Sequence, residues 1–272
     1  MRHCHAMGRL FQVAERLDRI GLRRPVARVA TLAYPESRFS VDSDGRWVNE
    51  QPQATFVSPT LHTASYAHLF QWVLDNWAWD YRPKAGDTVV DVGAGIGEET
   101  VIFSRLVGPS GRVVAIEAHP DTFACLRETV RRSGLANVTA LQCAVADGDG
   151  ELSIATADCH VASSVVEGGG TRVTARSLDS LTRELGLGEI AFLKMNIEGA
   201  ERLALAGMAE VLPKVRSACI SCHDFIADLG GSDEFRTREA VRPALEAAGF
   251  RIRTRPDDPQ SWVRDYLYAS RP

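Results

Sequence analysis

The spacing of apolar positions changes near residue 87. Before it, Leu10, Val13, Ala14, Leu17 and Ile20 recur every three or four residues, with Arg16, Arg19, Arg23 and Arg24 elsewhere. That period predicts an amphipathic helix over residues 9–28 with a solvated basic face. Two short alternating segments, 38–41 and 46–48, flank Ser43-Asp44-Gly45, a turn sequence that predicts a β-hairpin. A second helix is expected over 65–77, carrying Tyr66, Leu69, Phe70, Trp72, Val73 and Trp77, before Pro83-Lys84-Ala85-Gly86-Asp87 turns the chain. Residues 1–82 thus read as an N-terminal helical and hairpin cap, and 83–272 as the main domain.

Beyond residue 87, strand-length apolar runs at 88–92, 112–117, 138–143, 190–195 and 218–222 alternate with helical stretches at 98–107, 121–132, 200–208 and 235–248. Two closing strands are expected near Arg251 and Tyr266. The alternation predicts an α/β fold, a Rossmann-like, seven-stranded and mostly parallel sheet covered on both faces. One segment, 151–175, breaks the rhythm: Leu152-Ser153-Ile154, a Gly168-Gly169-Gly170 turn and Arg172-Val173-Thr174 read as a short antiparallel excursion.

Composition narrows the function classes. The 272 residues are 45% hydrophobic and 24% charged, which excludes a disordered or fibrous chain. Lys and Arg number 31 against 35 Asp and Glu, so a net charge of -4 gives no general attraction for nucleic acid. Residues 51–74 lack charge but contain Pro52, Pro59 and several hydroxyls, so neither they nor any other stretch reads as a membrane span. The N-terminus has no signal-peptide pattern, and a cytoplasmic location is the expectation. The six cysteines are dispersed and read as reduced thiols.

The candidate chemistry begins at Val89-Val90-Asp91-Val92-Gly93-Ala94-Gly95-Ile96-Gly97, a strand entering a glycine turn that opens a helix. Side-chain-free positions let a ligand approach backbone amides at the switch point of a parallel sheet. The spacing is Gly-x-Gly-x-Gly rather than the dinucleotide Gly-x-Gly-x-x-Gly, and the charge of Asp91 opposes a phosphate. Asp91 instead suits a ligand bearing an ammonium group, such as the amino-acid end of S-adenosylmethionine. Glu117 ends the second strand, 22 positions after Gly95, where a carboxylate accepts hydrogen bonds from ribose hydroxyls; Ala118 follows it. Ala144, after the third strand, is a candidate for the adenine edge. The cofactor set is therefore Asp91, Gly93, Ala94, Gly95, Gly97, Glu117, Ala118 and Ala144.

The glycine loop, Ser163-Ser164, Ser177-Leu178-Asp179-Ser180-Leu181 and Leu193-Lys194-Met195-Asn196-Ile197-Glu198-Gly199-Ala200-Glu201 together resemble the FkbM family of class I methyltransferases over about residues 86–272. The resemblance implies S-adenosylmethionine as methyl donor and a hydroxyl of a sugar or secondary metabolite, as in natural-product biosynthesis, as acceptor. Asn196 stands where the family motif carries Asp. This departure weighs against a divalent metal such as Mg2+ held by Asn196, Glu198 and Asp224.

After the next strand comes Ser221-Cys222-His223-Asp224. A neutral imidazole at the cleft can take the acceptor's proton as the methyl transfers, so His223 is the expected general base, with Asp224 orienting it and Glu198 and Asn196 beside it. Lys194 and Glu201 are expected to pair internally. Cys219-Ile220-Ser221-Cys222-His223 also matches a haem-attachment pattern, but both cysteines fall on a buried strand. The cap aromatics Phe56, Tyr66, Trp72 and Trp77 are candidates for excluding water, and His62, His68 and His119 for touching ligand. Other readings are a non-catalytic nucleoside-binding module, an N- or carboxyl-methyltransferase and a nicotinamide oxidoreductase. A homodimer is left open.

Overall fold

The structure, a computed structural model, describes residues 21–154 and 170–271. Residues 9–20 of the first expected helix, Ser163-Ser164 and the first two glycines of the Gly168–170 turn lie outside the described residues. Helix α1 (Arg23–Ala33) runs past the expected end at residue 28 and buries Val26, Ala27 and Ala30 against Phe39, Trp47 and Leu61. The hairpin forms as β1 (Arg38–Val41) and β2 (Trp47–Glu50), in a register that sets Val41 opposite Trp47. A third strand, β3 (Thr55–Ser58), joins them; bounded by Pro52 and Pro59, it is too short to show a period in the sequence.

Helix α2 (Tyr66–Trp72), capped by Ser65, ends in a π-turn over Val73–Trp77 that drives Val73 and Trp77 into the core. After it the main domain begins, with helices α3 (Glu98–Val107) and α4 (Pro120–Arg132). Strand β3 is an edge whose free amides need partners. Helix α4 supplies them: Val57 N donates to Thr129 Oγ1 at 3.0 Å, and Thr55 N donates to Ser133 Oγ just beyond the helix at 2.9 Å. Val48 and Val57 pack on Ile96 and Cys125 alongside. The small sheet is thereby fixed to the main domain.

The strands of the main sheet are β4 (Thr88–Val92), β5 (Arg112–Glu117), β6 (Val138–Gln142), β10 (Ile190–Met195), β11 (Val215–Ser221), β12 (Arg251–Arg253) and β13 (Tyr266–Ser270). They lie in the order β12-β13-β11-β10-β4-β5-β6. Only β13 runs against its neighbours. Helices α3 and α2 cover one face through Val101, Phe103, Leu69 and Trp77. On the other face lie α5 (Leu178–Glu184), α6 (Glu201–Ala206) and α8 (Arg238–Ala247), through Leu181, Ala204 and Leu245. The short α7 (Asp224–Asp228) follows β11. The fold class expected from the alternation is the one observed.

The expected third strand stops at Gln142, and the chain restarts as β7 (Ala144–Val145), which pairs with β9 (Thr171–Arg176). β9 in turn pairs antiparallel with β8 (Gly150–Ile154), so the excursion is a separate three-stranded sheet. Strand order reverses between β4 and β10, and there the carboxyl ends of the two strands part to make a crevice. Among the described residues no helix is long and apolar enough to cross a membrane, and Cys125, Cys143, Cys219 and Cys222 are buried free thiols.

Candidate functional site

The glycine loop leaves β4 with positive φ at Gly93, Gly95 and Gly97. A Cβ at Gly93 would stand 2.0 Å from the Asn196 carbonyl oxygen, and one at Gly97 2.9 Å from Leu126. These two glycines let the loop pass between β10 and α4. Gly95 faces open space, and its amide donates to Glu117 Oε2 at 2.9 Å. The other Glu117 oxygen accepts from His119 N at 2.8 Å. Burial raises the Glu117 carboxyl above its ordinary range, and the amides of His119 and Gly95 oppose that rise.

Asp91 takes a different position from the one its place in the loop suggested. Parallel pairing sets it opposite Lys194, and its Oδ1 lies 2.9 Å from Lys194 Nζ, with the two side chains 0% and 1% exposed. Thr100 Oγ1 donates to its Oδ2 at 2.6 Å. Both oxygens are engaged behind the loop, so Asp91 does not line the cleft. Lys194 also donates to the Gly93 carbonyl at 2.7 Å. Its expected partner, Glu201, is elsewhere, because a lysine in the middle of a fully buried strand reaches sideways to the next strand rather than forward to the next helix. Burial alone would lower the Lys194 pKa, but Asp91 and Glu99 raise it, and the ammonium stays charged.

Glu201 pairs instead with His223, Oε1 to Nδ1 at 2.9 Å, and Thr237 Oγ1 donates to Glu201 Oε2 at 3.1 Å. The other imidazole nitrogen, Nε2, is 3.5 Å from Glu198 Oε2. Burial would depress the His223 pKa, yet the two carboxylates outweigh it and lift it to about 10. Both ring nitrogens thus face carboxylates, which favour the charged imidazolium over the neutral ring. Asp224 does not orient the ring. Its Oδ2 accepts from the amides of Thr237 and Arg238, both at 3.1 Å, where α8 begins and its unpaired amides need an acceptor.

A cavity of about 140 Å³, room for on the order of ten waters, occupies the crevice. Gly93, Ala94 and Gly95 of the loop, then Glu117, Ala118, Ala144, Asn196 and Glu198, line it as the sequence suggested. Gly97 stands just behind, capping α3. Apolar Ile116, Cys143, Val145 and Ile154 line the same cavity, together with Glu98, Glu99 and Lys194. Glu198 holds φ +51, a left-handed backbone that no other non-glycine residue adopts among the described residues. Such strain persists where the surroundings over-determine it.

Glu98 and Glu99 were not singled out from the sequence. Their signal was adjacency, since the first turn of a helix opened by a ligand loop faces the ligand. Burial raises Glu99 to about 7, opposed by Lys194 and reinforced by Glu98 and Asp91. From the cap, His62 Nε2 meets Glu98 Oε1 at 2.6 Å. The cap aromatics fall short of the cavity: Phe56 and Trp77 are buried in the core, and neither Tyr66 nor Trp72 lines the site. His68 is exposed. Among the described residues no group of three or more His, Cys, Asp or Glu is placed to hold a metal ion.

A family model described as the Methyltransferase FkbM domain matches residues 91–252, more than half the chain. The chain belongs to the FkbM family of S-adenosylmethionine-dependent methyltransferases. It is 27% identical over 182 residues to 31-O-demethyl-FK506 methyltransferase FkbM of Streptomyces tacrolimicus, covering 54% of this chain and 69% of that protein. It is 38% identical over 66 residues to a protein-L-isoaspartate O-methyltransferase of Aeropyrum pernix, covering 24% of this chain and 25% of the relative. The crystal structure of Methyltransferase FkbM from Methylobacillus flagellatus KT superposes with a TM-score of 0.51 at 20% identity, over 71% of this chain and 45% of that one. The chain thus spans only a quarter of the archaeal relative and less than half of the crystallised FkbM protein.

Proposed function

We propose that this FkbM-family chain transfers a methyl group from S-adenosylmethionine to a hydroxyl oxygen of a small molecule, of the sugar or secondary-metabolite class. The observation that carries the reading is a cavity at the glycine loop lined both by apolar side chains and by four glutamates. The residues fit the cofactor. Glu117 serves a ribose diol, the apolar lining at Cys143, Ala144 and Val145 a planar base, and Glu98 and Glu99 offer negative charge to a cationic group. When bound, the cofactor supplies an electrophilic methyl on a sulfonium.

The protein's share is to hold the acceptor oxygen in line and to receive its proton. Glu198 is the group that receives the proton, because it lines the cavity and His223, held by Glu201, sets its carboxylate from behind. A carboxylate acceptor such as isoaspartate would enter a cleft already lined by Glu98, Glu99, Glu117 and Glu198, so the charge favours a neutral hydroxyl.

Calorimetric titration with S-adenosylhomocysteine, followed by a screen of hydroxyl acceptors, tests the proposal. Binding near -8 kcal/mol, about micromolar, with transfer of labelled methyl to oxygen is the expected result. Failure to bind, or a preference for NAD, overturns the cofactor assignment. Binding without turnover on any acceptor would favour a nucleoside-sensing module instead.

A further inference from the structure

The α-ammonium of an S-adenosyl ligand needs an anionic partner, and Asp91, the carboxylate its position in the loop suggests, is sealed away. Its oxygens face Lys194 and Thr100, and it does not reach the cavity. Eight residues on, in the first turn of α3, Glu99 lines the same cavity. Trp77 Nε1 donates to Glu99 Oε1 at 3.3 Å and so fixes the side chain from the core side. The backbone amide of Glu99 itself also reaches the carboxyl. We infer that Glu99, not Asp91, is the carboxylate that binds the ligand's α-ammonium, and that it gives up a proton when the ligand arrives. The inference rests on the cofactor reading above and specifies one contact within it.

The charges around Glu99 explain the proton. Glu98 from its own helix and Asp91 from β4 repel its ionised form, and Lys194 from β10 favours it. From β13 Tyr266 adds no charge, because burial and its neighbours, Glu99 among them, raise its pKa well above the ordinary value. The Asp91–Lys194 pair is internally neutralised at 2.9 Å, so the lysine supports Glu99 only in part. Burial, with Glu98 and Asp91 nearby, outweighs the support of Lys194 and lifts the carboxyl to about 7. An ammonium brought against Oε2 supplies the missing counter-charge. The carboxyl then ionises, and its proton passes to solvent while the ammonium keeps all of its own.

Proton release is read by titrating S-adenosylhomocysteine into the protein in buffers of different ionisation enthalpy, between about pH 5.5 and 8. For the wild type we expect close to one proton released per ligand bound near pH 6, falling towards none near pH 8. Affinity should rise with pH and level off above about 7, by up to about tenfold per pH unit on the acid side. Glu99→Gln, nearly isosteric, should release no proton, show a flat affinity profile and bind about tenfold or more weakly at pH 8. The analogue of S-adenosylhomocysteine with hydrogen in place of the α-ammonium should bind wild type and Glu99→Gln alike and release no proton from either. If the wild type binds S-adenosylhomocysteine without proton release, or if Glu99→Gln matches it at pH 8, the inference is wrong while the cofactor reading stands. If the wild type binds neither ligand, the cofactor reading fails and this inference falls with it.

Discussion

The Asp91–Lys194 pair and the Glu201–His223 pair are built alike. Each joins a carboxylate to a cation across 2.9 Å, with both partners removed from solvent. They differ in what lies beyond the cation. Lys194 ends on Asp91 and the Gly93 carbonyl, which ties the glycine loop to β10. His223 continues to Glu198, whose side chain is 15% exposed and lines the cavity. The first pair is closed and braces the loop; the second opens into the site and holds the Glu198 carboxylate in place. Burying an ion pair stabilises little by itself, so each is better understood by what it positions.

Breaking the closed pair should have the largest effect on stability. Lys194→Met leaves Asp91 as an uncompensated buried charge, and a loss of about 3–5 kcal/mol is expected in urea unfolding. The double variant Asp91→Asn with Lys194→Met should recover much of that loss. A double variant no more stable than Lys194→Met would show that the pair does not act as a unit.

The open pair should fail in turnover before it fails in stability. Glu198→Gln is expected to lower kcat by about a hundredfold or more, with S-adenosylhomocysteine affinity unchanged. Wild-type kcat in this variant would remove Glu198 from proton transfer.

A pH comparison sharpens the contrast further. His223 is raised from 6.5 to about 10, so its contribution to stability is full below pH 6.5 and is lost as pH rises through about 10. Glu201 is lowered from 4.5, so its contribution is full above that value and is lost as pH falls below it. Stability measured for wild type minus His223→Gln should therefore decline between pH 6.5 and 10. A flat difference would mean the imidazole is not charged in the folded protein.

The smallest effect concerns the backbone. Glu198→Gly should relieve the left-handed strain and raise stability by up to about 1 kcal/mol, visible as an upward shift in Tm, while turnover is lost. A fall in stability would indicate that the Glu198–His223 contact outweighs the strain.

Much of this molecule was legible along the chain because its signals are local. A short, mostly apolar run such as 190–195, alternating with helical stretches, reads as a buried strand, and glycines at 93, 95 and 97 after such a strand specify a turn that admits a ligand. The sheet, the hairpin, the glycine loop and Glu117 follow from patterns a few residues long. Strand β3 and the restart at Ala144 were missed because two to four residues carry no period of their own.

The pairing of charges was not legible, and for a physical reason. The partner of a buried charge is set by sheet register and by which strands are neighbours, and those bring together residues about a hundred positions apart, such as Gly93 and Lys194. Sequence proximity pointed to Lys194 with Glu201 and to His223 with Asp224; register gave Lys194 to Asp91, His223 to Glu201, and Asp224 to the first amides of α8. What the sequence by itself determined was the fold, the family and the loop at the cavity. Only the tertiary structure decided which carboxylates face the cavity and which are spent inside, because desolvation forces every buried charge to the nearest counter-charge in space.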